Sequence, residues 1–201
     1  MTISEIGLLK LKPSFKIDDP DLQNRLTEVQ SGLQEFTSHK FYFFQQLQDP
    51  CFIYLLGQWE SLESHYRDMH GSSSWKERVM VMSNYFEFQW MAHYDFLIEN
   101  LSLDIGEPIL EVMRFSMGED EKGDFADKVT GVLSGFDASH AMVLNGWKVD
   151  ANREKEEFVV LVLWKNLRAR EEFANVKGYD LSGKLKEYAE FVDAQFIKKV
   201  L

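Results

Sequence analysis

Apolar and polar positions recur along the chain with two different periods, which predict helices and strands. Apolar residues at positions 22, 26, 29, 33 and 36 follow the spacing of one helix face. An acidic pair and Pro20 precede this stripe, as is typical of a helix start. Positions 125, 129, 133 and 136 form a second stripe of the same kind. Segments between the stripes alternate with a period of two and predict strands.

The predicted elements occur in the same order in both halves of the chain. Predicted strands cover 6–12, 41–46, 52–58 and 86–96, then 109–115, 141–149, 158–163 and 189–200. Helices are predicted at 18–36, after Trp59, at 75–82, around 125–136, at 167–176 and at 181–188. The final segment fits a helix as well as a strand by its pattern, and its place in the repeat favours a strand. Each half therefore has the ferredoxin-like order β-α-β-β-α-β, with a four-stranded antiparallel sheet and helices on one face.

This order predicts an α+β fold built as a tandem repeat. Trp59 and Trp164 each close an apolar run and open a polar stretch, 105 positions apart, and His39 and His140 lie 101 positions apart. We predict two repeats, at 1–101 and 109–201, joined by a linker at 102–108. Packing the two uncovered sheet faces together would form an intrachain pseudo-dimeric α+β barrel with an enclosed cavity.

Composition and charge exclude several classes of partner. The 201 residues carry a net charge of −11, whereas nucleic acids and anionic membrane surfaces are bound by basic faces. No apolar stretch reaches the ~18 residues of a membrane span, and the N-terminus has no secretory signal pattern. The single Cys51 excludes a disulfide within the chain and is predicted to be a buried structural thiol. We therefore expect a cytoplasmic protein that binds neither nucleic acid nor membrane.

A short motif at the end of the third strand resembles a known family. Gly57-Gln-Trp59-Glu-Ser61 leads to Glu63-Ser-His65, which is similar to the antibiotic-biosynthesis-monooxygenase-like group of the dimeric α+β barrel superfamily. In that group a tryptophan often ends the third strand, and an acidic residue and a histidine follow on the next helix. The resemblance covers nearly the whole chain. The second half departs from the motif, because Arg170 stands at the position that matches His65.

The resemblance implies a mostly hydrophobic cavity between a sheet face and the helices, with a few polar side chains. The group includes cofactor-independent monooxygenases, polyketide cyclases, isomerases, haem-degrading enzymes and members of unknown role. The sequence has no P-loop, G-x-S-x-G or G-x-G-x-x-G motif that would indicate another chemistry. We expect no cofactor, so an oxygenase of this kind would take its electrons from the substrate.

Two histidines are the first candidates for acid/base chemistry. His65 matches the family histidine and can exchange a proton near neutral pH; the alternative is an ordinary surface histidine. His93 shares one face of the fourth strand with Asp95 and could act on a substrate if that face lines the cavity; otherwise it belongs to a surface row. His65 and His70 lie five residues apart and do not share a helix face, so their spacing predicts no metal site.

Charged residues in the first strand of each half are further catalytic candidates. Lys10 and Glu111 are aligned as equivalent positions, from Leu9-Lys10-Leu11 and Leu110-Glu111-Val112. Both are predicted to point to the face between the sheets, where they would pair or act as cavity groups with a shifted pKa. Solvent-exposed rim positions are the alternative.

Aromatic residues on the strands are candidates for the walls of a substrate cavity, although such residues otherwise belong to the core. They are Trp59, Tyr42, Tyr54, Trp90, Trp147 and Trp164. The resulting hypothesis is a cofactor-independent cyclase, isomerase or monooxygenase of secondary metabolism that acts on a hydrophobic polyketide- or terpenoid-like molecule. The alternatives are a non-catalytic binding or stress-response protein, and a structural domain that fills the space with its own side chains. A monomer and a homodimer are both compatible with a tandem repeat.

Overall fold

A computed structural model describes residues 1–69, 71–103, 107–134, 141–150, 155–177 and 181–201 of the chain. The chain divides into two compact units. The first comprises Met1–Glu99 together with Lys199–Leu201, and the second comprises Asn100–Lys198. Both are mixed α+β with antiparallel strands, as the sequence predicted. His70 and His140 lie outside the described residues.

The first unit has four strands and two α-helices among its described residues. In chain order they are β1 (Ile3–Leu11), α1 (Pro20–Thr37), β2 (Tyr42–Gln46), β3 (Phe52–Trp59), α2 (Ser73–Met82) and β4 (Phe86–Tyr94). The strands lie in the order β4-β1-β3-β2 and each neighbouring pair is antiparallel. A π-helical segment, Ser64–Met69, stands where the sequence predicted an ordinary helix after Trp59.

The second unit repeats this order in its described residues. In chain order they are β5 (Ile109–Met117), α3 (Lys122–Leu133), β6 (Ala141–Trp147), β7 (Glu156–Trp164), α4 (Leu167–Lys177), α5 (Leu181–Leu185) and β8 (Glu190–Lys199). Its strands lie in the order β8-β5-β7-β6, which corresponds strand for strand to the first unit. The ambiguous final segment of the sequence is therefore a strand.

The start, the buried face and the end of helix α1 each follow from residues in its sequence. Asp19 caps its N-terminus, because the carboxylate accepts hydrogen bonds from the backbone N–H groups of Asp21 (2.9 Å) and Leu22 (3.5 Å). Four residues of the predicted stripe, Leu22, Leu26, Val29 and Leu33, are buried. The helix ends at Ser38, whose backbone is left-handed (φ 61°) and whose N–H bonds Gln34 O.

Side chains alternate between the two faces of the first unit's sheet. Glu5, Gly7 and Leu9 of β1 lie on the face covered by α1 and α2, whereas Leu8 and Lys10 lie on the other. A bulge interrupts the pairing of β1 with β4 between Leu8 and Leu9 and changes which residues of β4 face the helices. Among the described residues, no helix is both long and apolar enough to cross a lipid bilayer.

Candidate functional site

A cavity of about 300 Å³ lies inside the first unit, between its sheet and helices α1 and α2. This volume is at the lower end of the range for small-molecule sites. Its walls are mostly apolar, and the polar members include Glu5, His65 and Arg78. The remaining lining residues are Gly7, Leu9, Val29, Leu33, Phe43, Leu55, Trp59, Trp75, Val79, Met82, Ser83, Phe86, Phe88 and Met91.

Glu5 is the central polar group at one end of this cavity. Its side chain is 3 % exposed, and its Oε2 accepts a 2.7 Å hydrogen bond from Trp59 Nε1. The pairing of β1 with β3 places Glu5 two residues from Ile3, which lies opposite Trp59, so the two side chains meet on one sheet face. A carboxylate with so little access to water needs partners of this kind, since an uncompensated buried charge is very costly.

His65 reaches the same carboxylate from the π-helical segment. Its ring stacks on Trp59, with ring centroids 4.1 Å apart and planes 21° apart. Its Nδ1 lies 3.4 Å from Glu5 Oε2, and its side chain is 3 % exposed. Ser61 supports the entry to this segment, because its Oγ accepts from Ser64 N at 3.1 Å. A π-helical turn often occurs at functional sites, where it places a side chain that a regular helix would aim elsewhere.

His93 completes a buried cluster of three titratable side chains. It lies directly across the sheet from Glu5, in the β1–β4 pairing. Its Nε2 is 2.8 Å from His65 Nδ1 and 3.7 Å from Glu5 Oε2, and its side chain has no exposed surface. We call Glu5, His65 and His93 the Glu-His-His cluster. Tyr66, half-exposed, stacks against His65 and contacts the His93 ring edge to face.

The cluster changes the acidity of its carboxyl group. Burial alone would raise the pKa of Glu5, but the polar contact with His93, the electrostatic attraction of both imidazoles and the Trp59 N–H together outweigh it. The pKa of Glu5 is therefore lowered from its ordinary value of 4.5. Glu5 is ionised at neutral pH and holds the two imidazoles near a fixed negative charge.

The second unit keeps half of this arrangement. Glu111 is buried and accepts a 2.9 Å hydrogen bond from Trp164 Nε1, as Glu5 does from Trp59. Arg170 lies 3.7 Å from Glu111 through Nη2, at the position that matches His65. Phe196 lies directly across the sheet from Glu111, where His93 lies in the first unit. The carboxylate–tryptophan pair is thus present in both units, whereas both histidines belong to the first.

Three predicted site residues come together around Glu5: His65, His93 and Trp59. His65 is not a surface histidine, and His93 does not belong to a surface row, because both are buried. On the predicted polar face of the fourth strand, Met91 lines the cavity, whereas His93 lies behind His65. Asp95, by contrast, is exposed and lies just beyond the end of β4.

Several predicted site residues lie away from the cavity. Lys10 lies on the opposite sheet face, with its Nζ 5.9 Å from the centre of the Phe52 ring. Strand pairing aligns Glu111 with Glu5 and not with Lys10, because Ile3 and Ile109 lie opposite the two repeat tryptophans. Alternation likewise places three of the predicted wall residues on the face opposite the cavity: Tyr42, Tyr54 and Trp90.

Two predicted wall residues, Trp147 and Trp164, belong to the second unit. Trp147 packs edge to face on Phe158, at 4.8 Å between ring centroids, with the Lys122 ammonium over its ring. Trp164 is buried against Phe173, with ring centroids 5.5 Å apart. Both have the contacts of core residues.

Sequence reasoning missed Glu5, although a signal for it was present. The predicted equivalence of Lys10 and Glu111 used an offset of 101 residues, which is the offset of the histidines His39 and His140. The tryptophans differ by 105, and an offset of 106 pairs Glu5 with Glu111. Aligning the first strands by the tryptophan offset would have brought Glu111 to within one residue of Glu5.

Comparison with known proteins identifies the fold. No protein-family model matches the chain, and no curated protein sequence matches it. Among solved structures, an anthrone oxidase-like protein superposes with a TM-score of 0.65 at 12% identity, over 100% of this chain and 92% of its own. A candidate monooxygenase from Fusobacterium nucleatum gives a TM-score of 0.63 at 10% identity, over 100% and 93% of the two chains.

A third structure extends the comparison to a haem protein. A haem-binding protein from Thermus thermophilus superposes with a TM-score of 0.60 at 9% identity, over 100% of this chain and 91% of its own. Identities this low establish a shared fold without establishing a shared activity. The chain therefore has a mixed α+β fold similar to that of these proteins.

Proposed function

We propose that the protein is an oxidase or monooxygenase that acts on an apolar, oxygen-bearing aromatic molecule in the cavity of the first unit. The substrate is of polyketide or terpenoid type, and the reaction belongs to secondary metabolism. It needs no flavin, haem or nicotinamide, because an electron-rich substrate anion can itself reduce O₂. The names of two structural neighbours, an anthrone oxidase-like protein and a candidate monooxygenase, support this class of reaction.

The observation that carries the proposal is the position of the Glu-His-His cluster at one end of an apolar cavity. Glu5 and His65 both line that cavity, and His93 lies 2.8 Å behind His65. A buried network of this kind can accept a proton from a bound substrate, and the charge of Glu5 stabilises the imidazolium that forms. Apolar walls exclude water and strengthen that electrostatic effect.

The cavity also offers a polar contact for a substrate oxygen. Trp75 lines the cavity, and within the described residues its buried Nε1 has no hydrogen-bond partner. An indole N–H is a donor only, so it suits a carbonyl or phenolate oxygen. A flat aromatic ketone or phenol would place its ring among the apolar side chains and its oxygen on such a donor.

The proposed reaction balances without an added reductant. The cluster removes a proton from an activated C–H group next to the aromatic ring, and the resulting anion transfers its electrons to O₂. The new C–O bond gives a peroxide, which takes up a proton. Loss of the second C–H proton and cleavage of the O–O bond give a ketone and one water molecule. An anthrone and O₂ would in this way yield an anthraquinone and water.

Haem does not fit the described residues of this cavity. The cavity volume of about 300 Å³ is at the lower limit for small ligands, and a haem is larger than such ligands. The ring of His65 is also held on both sides, by stacking on Trp59 and by the contact with His93. We therefore assign no step to a haem.

The proposal is tested by oxygen uptake. Purified protein is mixed with anthrone and with 1,8-dihydroxyanthrone in an oxygen electrode, and quinone formation is followed by absorbance. We expect consumption of one O₂ for each quinone formed, and a rate about 10²–10⁴-fold lower in His65→Ala. No acceleration over the spontaneous rate with either probe would contradict the proposal.

Two control variants separate the cavity from the cluster. His39→Ala removes a histidine of the same unit that bonds Glu99 at 2.6 Å outside the cavity, and it should keep full activity. Gly7→Val adds a side chain inside the cavity and should raise KM. Tight binding of the anthrones without turnover would instead favour a non-catalytic binding protein, and turnover under nitrogen would favour an isomerase.

A further inference from the structure

We propose that the Glu-His-His cluster binds a divalent first-row transition-metal ion, with the open coordination positions of the ion directed to the apolar cavity. The ligand atoms are Glu5 Oε2, His65 Nδ1 and His93 Nε2, which all lie within 4.8 Å of one another. Two imidazoles and one carboxylate are a ligand set typical of non-haem iron and zinc sites.

The distances between these three atoms fit a shared ion. They are 2.8 Å between the two imidazole nitrogens, 3.4 Å from His65 to Glu5 and 3.7 Å from His93 to Glu5. A triangle with these edges has a circumscribed circle of radius about 1.9 Å. A metal ion slightly above its plane would lie about 2.0–2.2 Å from all three atoms, which is the usual length of zinc–nitrogen and zinc–oxygen bonds.

Hydrogen bonding explains the 2.8 Å contact between the two imidazoles, but it explains their distances to Glu5 less well. The two contacts of Glu5 with the imidazoles, at 3.4 and 3.7 Å, are longer than N–H···O hydrogen bonds of ordinary strength, which measure about 2.7–3.2 Å. The short hydrogen bond to the same carboxylate oxygen comes from Trp59. Both imidazoles nevertheless direct a nitrogen toward that oxygen. Ligand atoms around one metal ion point to the same place, and the distances between them are expected to be slightly longer than hydrogen bonds.

The surroundings of the cluster suit a metal site. All three side chains are at most 3 % exposed, so water would have little access to the ion from the side of its protein ligands. Trp59 donates to the carboxylate ligand and stacks on His65, which holds both ligands in place. Outer partners of this kind commonly orient metal ligands. Glu5 and His65 line the cavity, so positions left open on the ion would be accessible to a substrate.

The second unit compensates its corresponding buried carboxylate, Glu111, in a different way, and this difference supports the inference. Glu111 also receives a tryptophan N–H, and the positive charge near it belongs to Arg170. Phe196 stands at the position that matches His93, so neither of the two matching positions in the second unit carries an imidazole. In the first unit, two imidazoles stand at these places beside Glu5. A divalent ion bound between them and Glu5 would supply the positive charge that Arg170 supplies in the second unit.

The role of the ion rests on the proposed function, whereas its binding does not. A bound ion would take the place of the imidazolium charge described for the metal-free cluster, and it would stabilise the oxygen anion that an enol or phenol substrate forms on losing its proton. Chelation would then slow turnover. A protein that binds the ion but does not oxidise any anthrone would disprove the function and leave the site intact. Oxidation at an unchanged rate after removal of the ion would leave the function intact and would disprove the role of the ion in turnover.

The experiment is a Co²⁺ titration of the 201-residue chain after treatment with a chelator, followed by visible absorption and by calorimetry. Co²⁺ is chosen because its visible spectrum reports nitrogen and oxygen ligands. We expect one equivalent per chain. Loss of a direct ligand in His93→Phe should weaken binding at least 100-fold, beyond the roughly 10–100-fold cost of losing an outer partner. His93→Phe introduces the residue that the second unit carries at this place, so we expect it to fold.

Two further variants keep the result interpretable. Glu5→Gln preserves the size of the side chain and removes the charged ligand, so it should also weaken Co²⁺ binding. His39→Ala removes a histidine outside the cluster and should leave the stoichiometry and affinity unchanged. Absence of Co²⁺ binding by the wild-type protein, or equal binding by wild type and His93→Phe, would overturn the proposal.

Discussion

At the scale of single residues, carboxylates that are shielded from water are compensated in different ways. Glu5 has a tryptophan N–H and two imidazoles, and Glu111 has a tryptophan N–H and Arg170. Asp193 on β8 is partly buried, with 26 % of its side chain exposed, and its polar contacts are weaker. Its Oδ2 lies 3.5 Å from Arg114, and its buried Oδ1 has no hydrogen-bond partner among the described residues. Glu157 shares the same arginine at 3.0 Å.

The poor compensation of Asp193 predicts a pH dependence of stability. Burial raises the pKa of Asp193 above its ordinary value of 3.8; Arg114 only partly offsets this effect, and the charge of Glu157 adds to it. The folded protein thus holds this proton more tightly than the unfolded protein. The contribution of Asp193 to stability therefore improves as the pH falls through its raised pKa, and above that pH the ionised group is destabilising.

Asp193→Asn should consequently raise the free energy of unfolding at neutral pH, because it removes the poorly compensated charge while Arg114 keeps its ion pair with Glu157. The difference from the wild-type protein should shrink as the pH falls toward 3.8. Urea midpoints measured at several pH values check this expectation. Asp127→Asn removes an exposed acid of α3 and serves as the control for net charge. A lower midpoint for Asp193→Asn at pH 7 would show that the arginine contact outweighs burial.

At the scale of secondary-structure elements, the bulge in β4 decides which side chains reach the cavity. The β1–β4 pairing passes from Trp90 opposite Leu8 to Phe88 opposite Leu9, so Gln89 is the extra residue. Strict alternation would place Gln89 beside Met91 and send Phe88 to the opposite face. Because of the bulge, Phe88 and Met91 both line the cavity.

Close packing between β3 and Phe41, which immediately precedes β2, gives a prediction at this scale. A Cβ added at Gly57 of β3 would lie 2.1 Å from two atoms of the Phe41 ring, which is completely buried. Gly57→Ala should therefore destabilise the protein by about 1–3 kcal/mol, through displacement of that ring. At Gly7 the nearest atoms to an added Cβ are 3.8 Å away, so Gly7→Ala is the matched control. Equal urea midpoints for the two variants would refute the prediction.

The sequence predicted the order of the elements well because periodicity reflects burial. The stripe of α1 and the alternation of the strands follow directly from which side chains are buried. The site was predicted in part, because Trp59 and His65 belong to a short motif and His93 to an alternating strand. Glu5 was missed, because its contacts come from strand register, which no local pattern contains. The π-helical segment and the bulge each shift a register by one residue, and such shifts have no strong sequence signal.

At the scale of the whole molecule, the two units have one backbone plan and different polar side chains at corresponding places. Strand orders match, and even the bulge recurs, since the β5–β8 pairing shifts between Arg114 and Phe115 as the β1–β4 pairing does between Leu8 and Leu9. The two units differ in the side chains around the buried carboxylate. The second unit therefore shows how the same backbone carries this carboxylate without the two histidines.

This correspondence predicts that the metal site can be copied. In the double variant Arg170→His, Phe196→His, both histidines of the cluster stand beside Glu111 at the matching positions. We expect the Co²⁺ stoichiometry to rise from one to two per chain. Phe196→His alone should remain at one, because it keeps the competing guanidinium. An unchanged stoichiometry in a folded double variant would mean that the π-helical placement of His65 is essential to the geometry.

The assignment of Lys199–Leu201 to the first unit has a consequence for protein synthesis. Phe43 of β2 donates its N–H to Leu201 O at 3.1 Å and accepts from Val200 N at 2.8 Å. A ribosome makes these residues only after the whole of the second unit has been translated. Strands β4, β1 and β3 can pair in the nascent chain before the second unit has been translated. During that time one edge of β2 has no strand to pair with. The first unit, although it is translated first, thus completes the pairing of β2 only after residues 200 and 201 have been made.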